Sequence, residues 1–262
     1  MYKPILFVTL FLTSAFNSQA QRSIYLGFFG GFNNSWIINQ NMMNSEDKID
    51  FEPTFGGSYG GVFGWNFTDF QGIQVEGIMG KLGQKYTGLY MDSAGNYSTN
   101  ILDFYDSQQE LWYMHIPLLY KIRGGEPGGM GIGILVGPQI SIRQQAHQTR
   151  KNNNLNAANS KPKIGDFNEP NTNDFSLLSY SAVFSFTSFN QLSDFFSLDL
   201  SFRFNYGLSD IIDKNARSKY HPSGDLDKNQ TGALTPYGDN SYQSSTNAWV
   251  GIELHLYFHI PY

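Results

Sequence analysis

The sequence predicts an all-β fold, an eight-stranded antiparallel up-and-down transmembrane β-barrel with long extracellular loops and short periplasmic turns. Three observations predict it: recurring apolar–polar alternation, connections that alternate between long and short, and a secretory signal with no apolar helix after it. The alternation is clearest at residues 195–208, where Phe202, Phe204 and Tyr206 share one face and Arg203 lies on the other. A period of two is typical of a strand with one apolar face. Twelve steps of ~3.3 Å, tilted by ~40°, cover roughly 30 Å, which is the thickness of a bilayer's hydrocarbon core.

The same alternation recurs in eight segments of the chain. One face of each carries aromatic and aliphatic side chains, as at Trp112, Ile116 and Leu118, and the other carries mostly glycine and small polar residues. An even number of such strands is typical of transmembrane barrels. The predicted strands lie near residues 23–33, 54–67, 71–85, 109–122, 130–142, 176–188, 195–208 and 244–260.

The connections between these segments alternate in length. Outer-membrane barrels have short periplasmic turns and longer extracellular loops, so the pattern predicts that both chain termini lie in the periplasm. The short connections are 68–70, 123–129 and 190–194. The long ones are the segment between the first two strands and residues 86–108, 143–174 and 209–243.

Residues 1–20 are predicted to be a secretory signal peptide. Lys3 supplies the positive charge, Ile5–Phe16 is an apolar stretch, and Ser18 and Ala20 are the small residues of a cleavage site. The remaining chain, 21–262, is predicted to be a single outer-membrane β-barrel domain. It contains no apolar run near the ~20 residues that a transmembrane helix requires.

The composition excludes several classes of function. The chain has no cysteine, so it can form neither a disulfide framework nor a thiolate metal site. Its formal charge of −5 argues against a nucleic-acid partner. Aromatic residues at 16% and charged residues at only 15% suit a barrel whose apolar strand faces alternate with polar ones.

Alternation alone leaves the direction of the apolar face open, and a soluble lipocalin-like barrel or a β-sandwich would show it too. The interior of an eight-stranded barrel is only just wide enough to be filled by side chains, and the bulky side chains on the apolar faces would overfill it. The opposite faces carry too few Lys and Glu for a soluble exterior. We therefore expect the apolar faces to contact outer-membrane lipid.

The inward parity collects several polar and ionisable side chains. A proton pathway, a narrow ion pore and a hydrolytic site are three possible interpretations. The favoured one is a lumen plugged by ion pairs, because a buried charge requires a partner. Arg203 is then expected to lie near Glu76 or Glu253 as a strut across the lumen. The candidates are Glu76, His115, Asp199, Arg203, Glu253 and His255, with Lys121 and Arg143 as further ones.

No catalytic residue, metal site or cofactor is assigned from the sequence. Glu253, His255 and His259 share a strand face and could bind a metal, but such residues more often line a solvated barrel mouth. No Gly-x-Ser-x-Gly spacing is present to favour a hydrolase.

Glycine and proline inside the strands carry structural expectations. The glycines at 27–31 and 56–64 precede no Lys-Ser/Thr pair, so they are interpreted as small residues that relieve crowding in the lumen and not as a phosphate loop. Pro117 lacks a backbone donor, so a bulge is expected there. Phe67, Tyr120 and Tyr257 are expected in an aromatic girdle at the periplasmic strand ends.

Three motifs resemble the outer-membrane β-barrel family of Bacteroidetes that includes the PorT-like proteins. They are the signal end Ser18-Gln19-Ala20-Gln21, the glycine-rich Gly56–Gly61, and His115-Ile-Pro-Leu-Leu-Tyr-Lys121, which resembles the family's E-I-P-L-L-L-K-Y strand. This chain has His115 where the family often has Glu. The resemblance covers nearly the whole mature chain and implies an integral outer-membrane barrel. Some members of that family serve type IX secretion and gliding motility.

Function is expected on the loops, since binding residues concentrate on loops held by a rigid scaffold. The favoured interpretation is a non-enzymatic envelope component that contacts other envelope proteins through its extracellular loops and takes part in type IX secretion or gliding. The alternatives are a small outer-membrane pore or transporter, and a lipid-modifying barrel enzyme.

Overall fold

The architecture is that of a computed structural model, which describes residues 23–39, 49–89, 104–125, 129–153, 167–170, 172–214 and 244–261. The predicted signal peptide, 1–20, lies outside the described residues. Within them, no helix is both long and apolar enough to cross a bilayer.

The described residues form ten strands and one turn of 3₁₀ helix at Thr172–Asp174. Eight strands build the barrel, and two short ones extend it. In chain order they are β1 (Ser23–Asn39), β2 (Ile49–Glu52), β3 (Thr54–Asn66), β4 (Gln71–Leu89), β5 (Phe104–Gly125), β6 (Met130–Asn153), β7 (Phe167–Pro170), β8 (Leu178–Gln191), β9 (Phe196–Gly207) and β10 (Ser245–Pro261).

The sheet closes on itself. Antiparallel pairing runs β1–β3–β4–β5–β6–β8–β9–β10, and β10 pairs back with β1 from Ser23↔Pro261 to Asn39↔Ser245. Closure gives each of the eight strands a hydrogen-bonded neighbour on both sides, as the hydrocarbon core of a membrane requires. The predicted eight-stranded antiparallel barrel is confirmed.

The barrel strands differ in length, so one side of the barrel is much taller. β5 and β6 have 22 and 24 residues, whereas β8 and β9 have 14 and 12. At ~3.3 Å per residue and a tilt of ~40°, β6 rises about 60 Å and β9 about 30 Å. We call the projecting part the wall. It consists of the upper parts of β4, β5 and β6, with β2 on one edge and β7 on the other.

The faces of the strands are assigned as the alternation predicts. Arg203 is 1% exposed, while its neighbours Phe202 and Phe204 are 42% and 44% exposed. The same holds on β10, where Ile252 and Leu254 point outward and Glu253 is buried. The outside of the barrel therefore carries a continuous apolar belt.

The lumen also contains large aromatic side chains, which the expectation of small polar residues missed. The Tyr25 ring lies against Gly64, the Phe29 ring against Gly60, and a Cβ on either glycine would come within 2.1 to 2.8 Å of that ring. Phe189 lies over Gly131 in the same way. The inward glycines are thus places where a ring from a neighbouring strand packs on the backbone.

Two local expectations need correction. Pairing keeps one register on both sides of Pro117, from His115↔Ser141 to Tyr120↔Val136, and the register shift lies between Trp112 and Tyr113. The expected bulge at Pro117 is therefore wrong, because an inward proline can be accommodated without an extra residue. Tyr257 does not belong to an outer girdle; it is 2% exposed and lies inside the barrel.

Candidate functional site: a lumen crossed at three levels

An ionic layer crosses the middle of the lumen. Arg203 on β9 donates from Nη1 to Glu76 Oε2 at 2.7 Å and from Nη2 to Glu76 Oε1 at 2.8 Å. Three strands separate β9 from β4 in either direction around the barrel, so this ion pair joins opposite sides of the barrel. Arg203 Nε also lies 3.0 Å from Glu253 Oε2. We call Glu76, Arg203 and Glu253 the ionic layer.

The ionic layer holds two carboxylates against one guanidinium, so neighbouring dipoles and donors matter. Gln74 donates its amide to Glu76, and His255 Nε2 lies 3.2 Å from Glu253 Oε2. All three charged side chains of the layer are at most 1% exposed. Two-pronged guanidinium–carboxylate pairs have the strongest ion-pair geometry, and they offset part of the cost of removing the charges from water. The predicted position of Arg203 beside Glu76 or Glu253 is confirmed, with both carboxylates as partners, and its role as a stabilising strut stays a prediction.

A second crossing lies closer to the short-turn end. The Lys121 ammonium on β5 lies 4.8 Å from the centre of the Tyr25 ring and 5.3 Å from that of Tyr257. β5 and β10 lie on opposite sides of the barrel, so the contact between Lys121 and Tyr257 also spans the lumen. Tyr25 and Tyr257 meet edge to face at 5.2 Å, and Asp199 lies beside them on β9, opposite His255 in the register. Buried cations over aromatic rings are stabilised by the ring quadrupole.

The third crossing lies on the side of the ionic layer that faces the long loops. The ring centroids of His115 on β5 and Trp249 on β10 lie 6.4 Å apart, and these strands again lie on opposite sides of the barrel. His115 Nδ1 lies 2.7 Å from Ser141 Oγ, and Gln139 donates to the hydroxyl of Ser181 at 3.1 Å. This level is a polar network of neutral groups.

An apolar lid covers the third crossing. It consists of Phe175, which precedes β8, and of Ile211 and Ile212, which follow β9; each is at most 2% exposed. These three side chains pack with Trp249, Tyr113 and other buried apolar residues at the mouth. We call Phe175, Ile211 and Ile212 the lid.

Backbone hydrogen bonds hold the two halves of the lid together. Ser176 N donates to Ile211 O at 2.7 Å, and Ile211 N donates to Ser245 O at 2.8 Å. Asp210 Oδ1 accepts from the backbone of both Ile212 and Ser245 at 3.1 Å. The lid is therefore tied both to itself and to the start of β10.

One predicted lumen residue, Arg143, and one residue considered as a metal ligand, His259, lie away from the three crossings. Arg143 donates to the carbonyl of Phe175 and so belongs to the support of the lid. His259 lies near the rim, 2.8 Å from Ser197 Oγ, and is half-buried. His255 contacts Glu253 and Tyr257 instead, so the three residues considered as metal ligands do not converge. Within the described ranges, no three His, Asp or Glu side chains are placed to hold a metal ion.

The His115–Ser141 pair is the arrangement nearest to a hydrolytic site. A serine nucleophile requires a base that is itself oriented by a third group, together with access for the substrate. His115 Nε2 has no hydrogen-bond partner among the described residues, and both side chains are 3% exposed. The pair therefore lacks the orienting group and lies beneath the lid.

The fold and the lumen together define a class of protein: a closed antiparallel barrel with an apolar exterior belt and a charged, crossed interior is a transmembrane β-barrel. The family profile described as "Outer membrane protein beta-barrel domain" matches residues 17–213. The chain belongs to this family, which assigns it to the outer membrane. No curated protein matches the chain.

The chain is also similar, at low sequence identity, to several solved structures. OprG from Pseudomonas aeruginosa is 10% identical with a TM-score of 0.42, covering 92% of this chain and 96% of its own. Neisserial surface protein A is 9% identical with a TM-score of 0.38 and coverages of 88% and 95%. The attachment invasion locus protein Ail of Yersinia pestis, in complex with a heparin analogue, is 11% identical with a TM-score of 0.36 and coverages of 90% and 99%.

Proposed function

We propose that this protein is a non-enzymatic, non-conducting barrel that acts in the outer membrane as an interaction or assembly component. The observation that carries the proposal is the Arg203–Glu76 ion pair, which joins opposite sides of the barrel and obstructs the lumen at its middle. The lid and the Lys121 crossing obstruct it on either side. In such a barrel the interior side chains stabilise the fold and leave no open path through it. We therefore place the function on the surface outside the membrane.

The wall supports an outward-facing role. Its surface above the belt is polar and cross-linked, with Lys81 2.6 Å from Glu110 and Lys85 2.7 Å from Glu52. We propose that the wall and the long loops face the cell exterior, that both termini face the periplasm, and that other envelope proteins bind the wall and loops. The resemblance to the PorT-like family makes type IX secretion or gliding the pathway in which we propose this contact occurs.

Conductance in planar bilayers tests the closed lumen. The purified protein is expected to give no stable channel, and the variant Arg203→Leu serves as the comparison because it removes the central crossing. A reproducible channel in the unmodified protein would contradict the proposal in favour of a pore.

Partner binding is tested by affinity capture from cross-linked cells of the source bacterium. Replacing residues 215–243 with a short Gly-Ser linker is expected to abolish specific co-purification, whereas substitutions at Ser193 and Asp194 in a short turn are expected to leave it intact. Equal capture by both variants would contradict binding through the long loops. Normal cargo secretion and normal gliding in a deletion strain would contradict the pathway, and altered lipid A mass spectra in that strain would contradict the non-enzymatic assignment.

A further inference from the structure

The outer surface of the barrel contains an apolar groove of about 410 Å³ across β8, β9 and β10. Its floor is formed where two alanines flank a tyrosine in one row of the sheet: Ala182 pairs with Tyr206, and Tyr206 pairs with Ala248. A methyl group covers little of the strand beneath it, so the backbone is approached on both sides of the Tyr206 ring. The groove is a local gap in the exposed belt.

The sides of the groove are mostly apolar. Phe184 and Phe204 pair with each other across β8 and β9 and bound one side, and Trp36 on β1, the register partner of Ala248, closes an end. Asn205 lies under the groove, but its amide points into the lumen and donates to Ser181 at 3.2 Å. The lining is therefore mainly apolar, with the Tyr206 hydroxyl and the Trp36 indole N–H as polar side-chain groups, and it fits an apolar occupant.

The groove lies near the long-loop end of the membrane-spanning strands. Tyr206 is one residue from the end of β9 at Gly207, and Ala182 is near the start of β8 at Leu178. In the orientation proposed above, this depth belongs to the acyl region of the outer leaflet. The groove is continuous with the belt of exposed aromatic and aliphatic side chains, among them Phe184, Phe204 and Tyr206 at 42% to 55% exposure.

We propose that this groove binds one acyl chain of an outer-leaflet lipid of the lipid A type. A slender, flexible hydrocarbon chain can enter an open depression of about 410 Å³, which is too narrow for a protein helix or strand. Binding buries both the chain and the strand backbone next to Ala182 and Ala248, which would otherwise contact disordered tails. The groove thus holds one lipid on the side of the barrel where the strands are shortest, away from the projecting wall.

Native mass spectrometry of the mature protein, extracted from outer membranes in mild detergent, tests the site. The unmodified protein is expected to retain one molecule with the mass of lipid A or lipopolysaccharide. Ala182→Phe and Ala248→Phe, made separately, fill the groove from its two sides, and each is expected to lose that molecule. Val75→Phe adds an aromatic ring to the lipid-facing surface of β4, away from the groove, and is expected to keep it.

Folding of each variant is checked by the heat-dependent shift in electrophoretic mobility, so loss of lipid is scored only in closed barrels. Because the two alanine variants are independent, a fold defect in one leaves the other as the test. Retention of lipid A by a folded groove-filling variant at the level of Val75→Phe overturns the proposal. Retention by the unmodified protein of only detergent or only glycerophospholipid also overturns it.

Discussion

Arg203 and Glu76 lie 127 positions apart in the chain and meet through two hydrogen bonds in the centre of the barrel. Their strands, β9 and β4, share no backbone pairing. This contact therefore adds a cross-link that the backbone ladder cannot supply, since ladder bonds join only neighbouring strands. It fixes the distance between β9 and β4, on opposite sides of the barrel, at the level of the ionic layer.

Replacing Arg203 with leucine is expected to lower the free energy of unfolding by about 3–5 kcal/mol, because Glu76 and Glu253 would remain buried without a cation. Urea unfolding in micelles, followed by tryptophan emission, measures the change. Ser201→Ala, on the same strand and face, is the control and is expected to cost much less. An unfolding profile of Arg203→Leu that matches the unmodified protein would remove the strut role.

Neutralising the carboxylates should recover much of that loss. In Arg203→Leu combined with Glu76→Gln and Glu253→Gln, no charge is left unpaired in the ionic layer, and replacing buried ion pairs by neutral groups is often nearly neutral. The triple variant is therefore expected to unfold at a higher urea concentration than Arg203→Leu alone. A triple variant that is less stable than the single one would show that the penalty comes from lost packing.

Gly64→Ala is expected to destabilise the barrel by roughly 1–3 kcal/mol, the usual cost of overpacking. The added Cβ would lie 2.1 Å from Cζ of Tyr25, so the ring must leave its place. Gly30→Ala is the matched control, since its Cβ meets nothing within 4 Å, and it is expected to be neutral or to stabilise the strand by roughly 0.5–1 kcal/mol. Equal effects of the two substitutions would be inconsistent with the packing of Tyr25 on Gly64.

Phe175→Ala is expected to loosen the lid and to cost roughly 3–5 kcal/mol, because a buried ring is replaced by a cavity. Trp249 packs beneath the lid, so its emission should shift to longer wavelength in a variant whose other tryptophans, at 36, 65 and 112, are phenylalanine. Leu177→Ala, at a position that is 59% exposed, is the control and should leave the emission unchanged. An unshifted spectrum for Phe175→Ala would indicate that the lid does not protect Trp249.

Glu52 in the wall offers a test by pH. The hydrogen bond from Lys85, together with its charge, lowers the pKa of the Glu52 carboxyl below the ordinary value. The contact therefore stabilises the wall above the ordinary pKa, and this contribution is lost as the pH falls through the lowered pKa. Lys85→Met should raise the pKa of Glu52 in a carboxyl NMR titration, whereas Lys81→Met, which removes the partner of Glu110, should not.

The sequence was sufficient for the barrel because alternation has a direct physical cause. Each of β9 and β10 has to present hydrocarbon to one side and small or polar groups to the other, so Phe202, Arg203 and Phe204 announce their own directions. Arg203 could also be paired in advance, because a buried guanidinium needs a carboxylate and only a few carboxylates share the inward parity.

The lid could not be predicted because nothing periodic marks it. Phe175, Ile211 and Ile212 lie outside the alternating segments, and their meeting depends on how two connections fold over the mouth. The one usable signal was the pair Ile211-Ile212, an apolar doublet at the start of a polar loop. The inner rings were missed for a similar reason: that Tyr25 covers Gly64 depends on the register between β1 and β3, which the pattern of either strand alone does not give.

The crossing between β9 and β4 is also expected to form late in the assembly of the barrel. Hairpins form early because their contacts are local, but a pairing across 127 positions has to wait until the intervening strands have taken their places. Until then, the guanidinium of Arg203 and the carboxylates of Glu76 and Glu253 are not enclosed by the barrel. Exposing such charges to lipid hydrocarbon costs free energy. The charged centre thus disfavours a half-built sheet in the bilayer and makes completion of the cylinder the step at which the protein becomes compatible with its surroundings.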